Sequence, residues 1–172
     1  MRAIASASAE LSSLLSIGAA HAAQALAGLV GGEARAGLLF EPEPERLAGY
    51  ETGVAFEVGG ALVGTVVVLF ASRVHERLLG TLGSGALADP GSALSEVANI
   101  VASQAVSAIA DELRARVTLS IPRLSERGSG VALARALRSG APALASELGT
   151  GQAGTGALLV LLPGGLPRSA IP

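Results

Sequence analysis

Three residues in the stretch 91–113 have the types and spacing to do chemistry: Ser92, Glu96 and Asn99, set among Ala, Val and Ile. At about 100° per residue, Ser92, Glu96, Asn99, Ser103 and Ser107 fall within a sector of about 80° on a helix, while Leu94, Val97, Ala98, Val101, Ala105 and Ile109 face the other way. A carboxylate can accept a charge-assisted hydrogen bond from a cation. A carboxamide one turn away offers a donor and an acceptor without adding negative charge, so it can orient a small polar molecule beside an anion. Ile100 lies next to Glu96 on this polar side, where a lone surface helix would carry a polar residue, and is a candidate anchor for a partner. Against this stands the plain alternative that most polar helix faces only meet water.

Composition narrows what such a pair could serve. With 172 residues, 50% of them hydrophobic, the chain is long enough for a single domain with a proper core. Only 15% are charged and the net charge is −2, so no basic field exists to hold nucleic acid or an anionic membrane surface. All 12 basic residues are Arg; without Lys there is no P-loop lysine, no Schiff base and no Ser-Lys nucleophile. The absence of Cys removes thiol catalysis, disulfides and thiolate metal sites. Residues 11–32 carry no charge and have the length of a membrane span, but Ser12, Ser13, Ser16, His21 and Gln24 keep the stretch well short of a Leu-rich transmembrane helix. Arg2 and the small residues of "AHAAQA" suggest a signal peptide, which Glu10 interrupts, so a cytoplasmic protein without membrane insertion is the expectation.

The elements that must position the pair follow from pattern. Residues 11–30 read as a helix with Leu11, Leu14, Leu15, Gly18, Ala22, Ala25, Leu26 and Leu29 near one stripe. "EPEPE" at 41–45 reads as an extended, solvated stretch rather than an acidic metal site. A hairpin is expected from strands 54–58 and 62–70 with its turn at Gly59-Gly60, followed by an amphipathic helix over 72–83 with Ser72 as cap. Asp89 and Pro90 open the helix that carries Glu96 and Asn99 as N-cap and first helical residue. "VTLSIPRL" reads as a strand ending at Pro122 and "GALLVLLPGG" as a buried strand. The stretch 125–140 is a connection with a helix over "VALARALR". His21 and His75 have no paired ligands and are read as partly buried structural residues. "GTGQAG" at 149–154 satisfies G-x-G-x-x-G, but an apolar strand follows where a dinucleotide site needs a helix, so it is read as a turn.

The two long helices also resemble each other. Aligning 11–27 with 94–110, an offset of 83, gives identities at Leu11/Leu94, Ser12/Ser95, Ile17/Ile100, Ala19/Ala102, Ala22/Ala105, Ala25/Ala108 and Ala27/Ala110. Each helix then leads through a proline-bearing segment, with Pro42 or Pro122, toward a terminal apolar strand at 64–70 or 156–162. The expected architecture is therefore one α/β (α+β) domain spanning 1–172, with pseudo-repeats at about 10–80 and 90–163 and two long helices packed on a β-sheet.

Ser92-x3-Glu96-x2-Asn99-x22-Pro122 resembles the signature of the CheC, CheX and FliY family of chemotaxis phosphatases, which act on the phosphoaspartate of the response regulator CheY. A bare E-x-x-N would occur by chance in roughly 0.4 of chains this long, and requiring Asp or Ser four residues earlier and the distant Pro lowers that to about 0.003. The first helix, "LLSIGAAHAAQALAGLVG", is similar to the family's first active helix, but where double-site members carry an acid, Glu and Asn, this chain has Ala9, Ser13 and Ser16. A duplicated, CheC-like architecture with one intact site is implied. The resemblance assigns Asn99 to the attacking water, Glu96 to a lysine of the regulator, and Ser92, Ile100, Ser103 and Pro122 to support or partner contact, with Ser13 and Ser16 a degenerate first site. It implies no cofactor of the chain's own and a Mg2+ on the regulator. The implied partners are a phosphorylated CheY-like regulator and, in the family, the deamidase CheD; a homodimer is compatible with it. A second function of another class is a non-catalytic adaptor that holds a regulator, a flagellar switch protein or CheD.

Overall fold

In the computed structural model, which describes residues 2–71, 89–125, 127–150 and 155–165, apolar residues alternating with a period of two build the middle layer of a three-layer sandwich. On one face of the sheet Val54, Phe56, Val58, Val66, Val68, Phe70, Leu159 and Leu161 form a core with two long helices. On the other face Ala55, Val67, Leu69, Leu158, Val160 and Leu162 pack under two shorter ones. The long helices are α1 (Arg2–Val30) and α3 (Pro90–Leu113); the shorter are α2 (Pro44–Leu47) and α4 (Ser129–Arg138). The strands are β1 (Ala34–Ala36), β2 (Thr52–Gly60), β3 (Gly64–Phe70), β4 (Val117–Leu119), β5 (Arg123–Ser125), β6 (Leu144–Thr150) and β7 (Thr155–Pro163). All pairings are antiparallel, in the order β1-β6-β7-β3-β2-β4, with β5 also on β2. The mixed α/β class and the two long helices on a sheet are as the sequence predicts.

The chain visits long helix, edge strand, short helix, inner strand and central strand twice in that order, with β5 matched in the first pass only by the isolated bridge of Phe40 to Ala145. Exchanging each element for its counterpart reverses the strand order and leaves it unchanged, with β3 and β7 paired at the centre. The offset of 83 persists in the structure, since it separates the helix ends Val30 and Leu113 and also the strand starts Ala34 and Val117. By length and composition α1 and α3 each could cross a membrane. Their apolar stripes are instead buried on each other and on the sheet, with Leu15, Ala19, Ala22 and Leu26 facing Leu94, Val97, Ala98, Val101 and Ala105 in one cluster.

Several expectations are corrected. The first helix begins at Arg2 rather than Leu11, since its Ala- and Ser-rich start is helix-permissive. "EPEPE" is not wholly extended: Pro44 sits in the first turn of α2, where its fixed φ and missing N–H cost nothing, and Leu47 anchors that turn in the core. Its Glu45 carboxyl is held below the usual range, first by a backbone hydrogen bond and then by Arg138 at 3.1 Å. Gly59 and Gly60 end β2 instead of forming the turn; Gly60 has φ +95°, and a Cβ there would collide with the carbonyl of Arg116 beside the arriving β4. "VTLSIPRL" is two short strands, not one. From Val58↔Leu119 to Ala55↔Arg123 the outer chain advances four residues while β2 advances three, a bulge that ejects Ile121 and Pro122 from the ladder. His21 is exposed, not partly buried, on the outward stripe of α1. The expected helix at 72–83, including His75, and residues 151–154 of the 149–154 turn lie outside the described residues.

Candidate functional site on the α3 face

α3 starts as its sequence dictates. The Asp89 carboxylate accepts from the Ser92 backbone N–H at 3.2 Å and lies 3.5 Å from the Ser92 hydroxyl, while Pro90 occupies the first turn. At the other end Arg114 caps the helix in the left-handed region, φ 50°, and sends the chain back along the sheet edge as β4. Between these ends, burial of Leu94, Val97, Ala98, Val101, Ala105 and Ile109 fixes the helix's rotation. That leaves Ser92, Glu96, Asn99 and Ser107 exposed, with Ile100 and Ser103 half-buried at the stripe's border. The predicted stripe is therefore brought together on one face. Among the described residues no hydrogen bond or ion pair within the protein engages the side chain of Glu96 or Asn99. Both side chains are exposed.

Pro122 is exposed in the link between β4 and β5 rather than within a strand. Its surroundings are tied to β2: Ser120 donates its N–H to the Glu57 carbonyl at 2.9 Å, its hydroxyl accepts from the Glu57 N–H at 2.9 Å, and Arg123 pairs with the Glu57 carboxylate at 2.7 Å. Burial pushes the Tyr50 hydroxyl pKa upward; the residue packs with the short-helix side of the sheet, away from α3. Sequence reasoning passed over Ile121, which is 83% exposed next to Pro122. Its parity with Val117 and Leu119 assigns it to a buried strand face; the signal that could have found the bulge is Pro122, which cannot donate to the ladder.

The equivalent face of α1 is exposed in the same rhythm, at Ser13, Ser16, Ala20, His21, Gln24 and Gly28, and Ala9 is exposed at the place of Ser92. Thus Ser13 and Ser16 stand where Glu96 and Asn99 stand in the other half, and Ile17, like Ile100, is half-buried at the border. Neither serine supplies a carboxylate or carboxamide. Among the described residues no group of three or more His, Asp or Glu side chains is placed to hold a metal ion.

Comparison with known proteins bears on this face directly. Residues 91–126, which comprise most of α3 and run through Pro122, match the CheC-like family. The fold is shared with a chemotaxis protein CheX from Desulfovibrio desulfuricans, at 14% identity and a TM-score of 0.63 over 87% of this chain and 97% of that one. It is shared with FliY from Thermotoga maritima, at 13% identity and a TM-score of 0.61 over 89% and 87%. A third neighbour is the CheX of a CheX–CheY–BeF3–Mg2+ complex from Borrelia burgdorferi, at 11% identity and a TM-score of 0.58 over 83% and 92%. No curated protein matched the chain in sequence. The family-level resemblance carried by Ser92, Glu96, Asn99 and Pro122 therefore stands, with a fold to match.

Proposed function

We propose that the α3 face hydrolyses the phosphoaspartate of a CheY-like response regulator, with Asn99 orienting the attacking water and Glu96 docking the regulator. The observation that carries this reading is the exposed, unengaged Glu96 and Asn99 within the 36-residue segment that matches the CheC-like family. An acyl phosphate is an activated electrophile, so its hydrolysis needs a water placed in line behind phosphorus more than it needs acid-base help. The water oxygen bonds to phosphorus, the bond from phosphorus to the aspartyl oxygen breaks, and aspartate carboxylate and inorganic phosphate leave. The Asn99 carboxamide can accept from that water while adding no charge beside the phosphoryl oxygens. Glu96, one turn away, can accept from a lysine of the regulator and set its orientation. A divalent metal such as Mg2+, on this reading, belongs to the regulator, and the chain brings none. The repeated order of elements and the persistent offset of 83 support an internally duplicated single domain. A cytoplasmic location follows from a cytoplasmic substrate.

A second reading has its own observation. α1 keeps the fold, the exposed stripe and Ile17 without the pair, as a face does that holds a partner without acting on it, whether the regulator, a flagellar switch protein or CheD. Decay of phosphorylated regulator, followed as phosphate release with and without this protein, separates the two. Faster release supports the phosphatase; stable binding with unchanged release supports the adaptor.

A further inference from the structure

Among the described residues four large apolar side chains are exposed, and the two most exposed are Leu38 at 92% and Ile121 at 83%. These two are 83 residues apart, the offset that relates the helix ends and the edge strands. Singly scattered surface apolar residues need no explanation. Recurrence at the same repeat position, each time just beyond an edge strand, is not scatter.

Ile121 lies on the outer chain along which α3 packs. α3 packs along β4 and β5, and Val117, Leu119 and Leu124 of that outer chain sit against the core cluster that α3 shares. From Leu113 back to Asn99 is about 21 Å at roughly 1.5 Å per helical residue. From Arg116 forward to Ile121 is about 16 Å at roughly 3.3 Å per extended residue. Ile121 therefore stands level with α3 within about one turn of Asn99. The bulge holds it out of the ladder, and the bonds of Ser120 and Arg123 to Glu57 on either side fix the backbone that presents it. An apolar side chain held rigidly in water beside two unengaged polar groups has the anatomy of a docking surface: an apolar anchor with polar groups next to it.

We propose that Ile121 is a docking anchor for the same response regulator, inserting against an apolar patch of the regulator beside its phosphorylation site and setting affinity without entering the chemistry. This rests on the phosphatase reading for its occupant. Leu38, beside the face that lacks the pair, provides the internal control.

The test measures phosphate release against phosphorylated-regulator concentration for wild type, Ile121→Ser, Leu38→Ser and Asn99→Ala, together with direct binding of the regulator to each. Ile121 is exposed, so Ile121→Ser folds as wild type does, which its melting curve checks. The expected result is a half-saturating concentration raised about ten-fold in Ile121→Ser with the plateau rate unchanged, and both values unchanged in Leu38→Ser. Half-saturation within two-fold of wild type in Ile121→Ser, or a rise of equal size in Leu38→Ser, overturns the anchor, whatever Asn99→Ala does. Should wild type not accelerate release at all, the phosphatase reading fails separately and the binding arm decides: weaker binding of Ile121→Ser supports the anchor, while equal binding, or none by wild type, overturns it.

Discussion

α1 and α3 bury matching stripes against the same sheet and against each other, yet at the outward positions one carries Ser13 and Ser16 and the other Glu96 and Asn99. The contrast separates what the fold requires from what chemistry requires. Ala19 and Ala22 recur as Ala102 and Ala105, all four in the core that α1 and α3 share, because the helices need small residues where they approach. The exposed positions are under no such demand, so the pair on α3 is not explained by packing. Some inward positions also differ, among them Gly18, which corresponds to Val101; a Cβ on Gly18 would sit 3.0 Å from Ile109 Cδ1 and 3.1 Å from the Ala105 carbonyl oxygen. At that point of the crossing α1 is the thin side.

Four variants break or sharpen that comparison, in descending size of effect. Asn99→Ala removes the group that holds the water and should lower the rate of regulator dephosphorylation by about 10² or more, with an unchanged melting curve because the residue is exposed. Saturating regulator cannot rescue it. Glu96→Gln keeps the shape and loses the charge, so half-saturation should rise roughly ten- to a hundred-fold, about 1.5 to 3 kcal/mol. Added salt should weaken wild-type binding more than that of the variant, since only wild type has an ion pair to screen. If Glu96→Gln lowers only the plateau, Glu96 acts in the chemical step instead. Gly18→Val places the α3 residue at the α1 position and should cost about 1–3 kcal/mol through overpacking against Ile109 and Ala105, read from the urea midpoint; no change would mean the crossing can relax. Ser13→Ala with Ser16→Ala should leave activity within about two-fold, because neither hydroxyl replaces the pair.

Which parts of this were legible in the sequence depends on where the deciding interactions lie. α3 was readable because its signals are local: Asp89 and Pro90 open it, its apolar residues recur at helical spacing, and Glu96 and Asn99 share a face by angle alone. β6 was not, since "LASELGT" holds a serine and a glutamate whose partners are far away in the chain. The Ser146 hydroxyl donates to the Gly37 carbonyl at 3.0 Å and Glu147 pairs with Arg46. The short-helix layer was only half visible. "VALARALR" showed its period, whereas Pro44 looked like a breaker until Leu47 was seen buried beneath the sheet. Ile121 was hidden by a register shift of one residue against β2, whose mark in the sequence is its neighbour Pro122 rather than Ile121 itself.

The account stands most directly on one side-by-side measurement of phosphate release from a phosphorylated CheY-like regulator at saturating concentration. It compares wild type, the Ser13→Ala, Ser16→Ala double variant and Asn99→Ala. The predicted result is that wild type and the double variant superpose well above the regulator's own decay, while Asn99→Ala falls back to that decay. Asn99→Ala superposing on wild type, or the double variant falling to the regulator's own rate, would contradict the assignment of the chemistry to the α3 face.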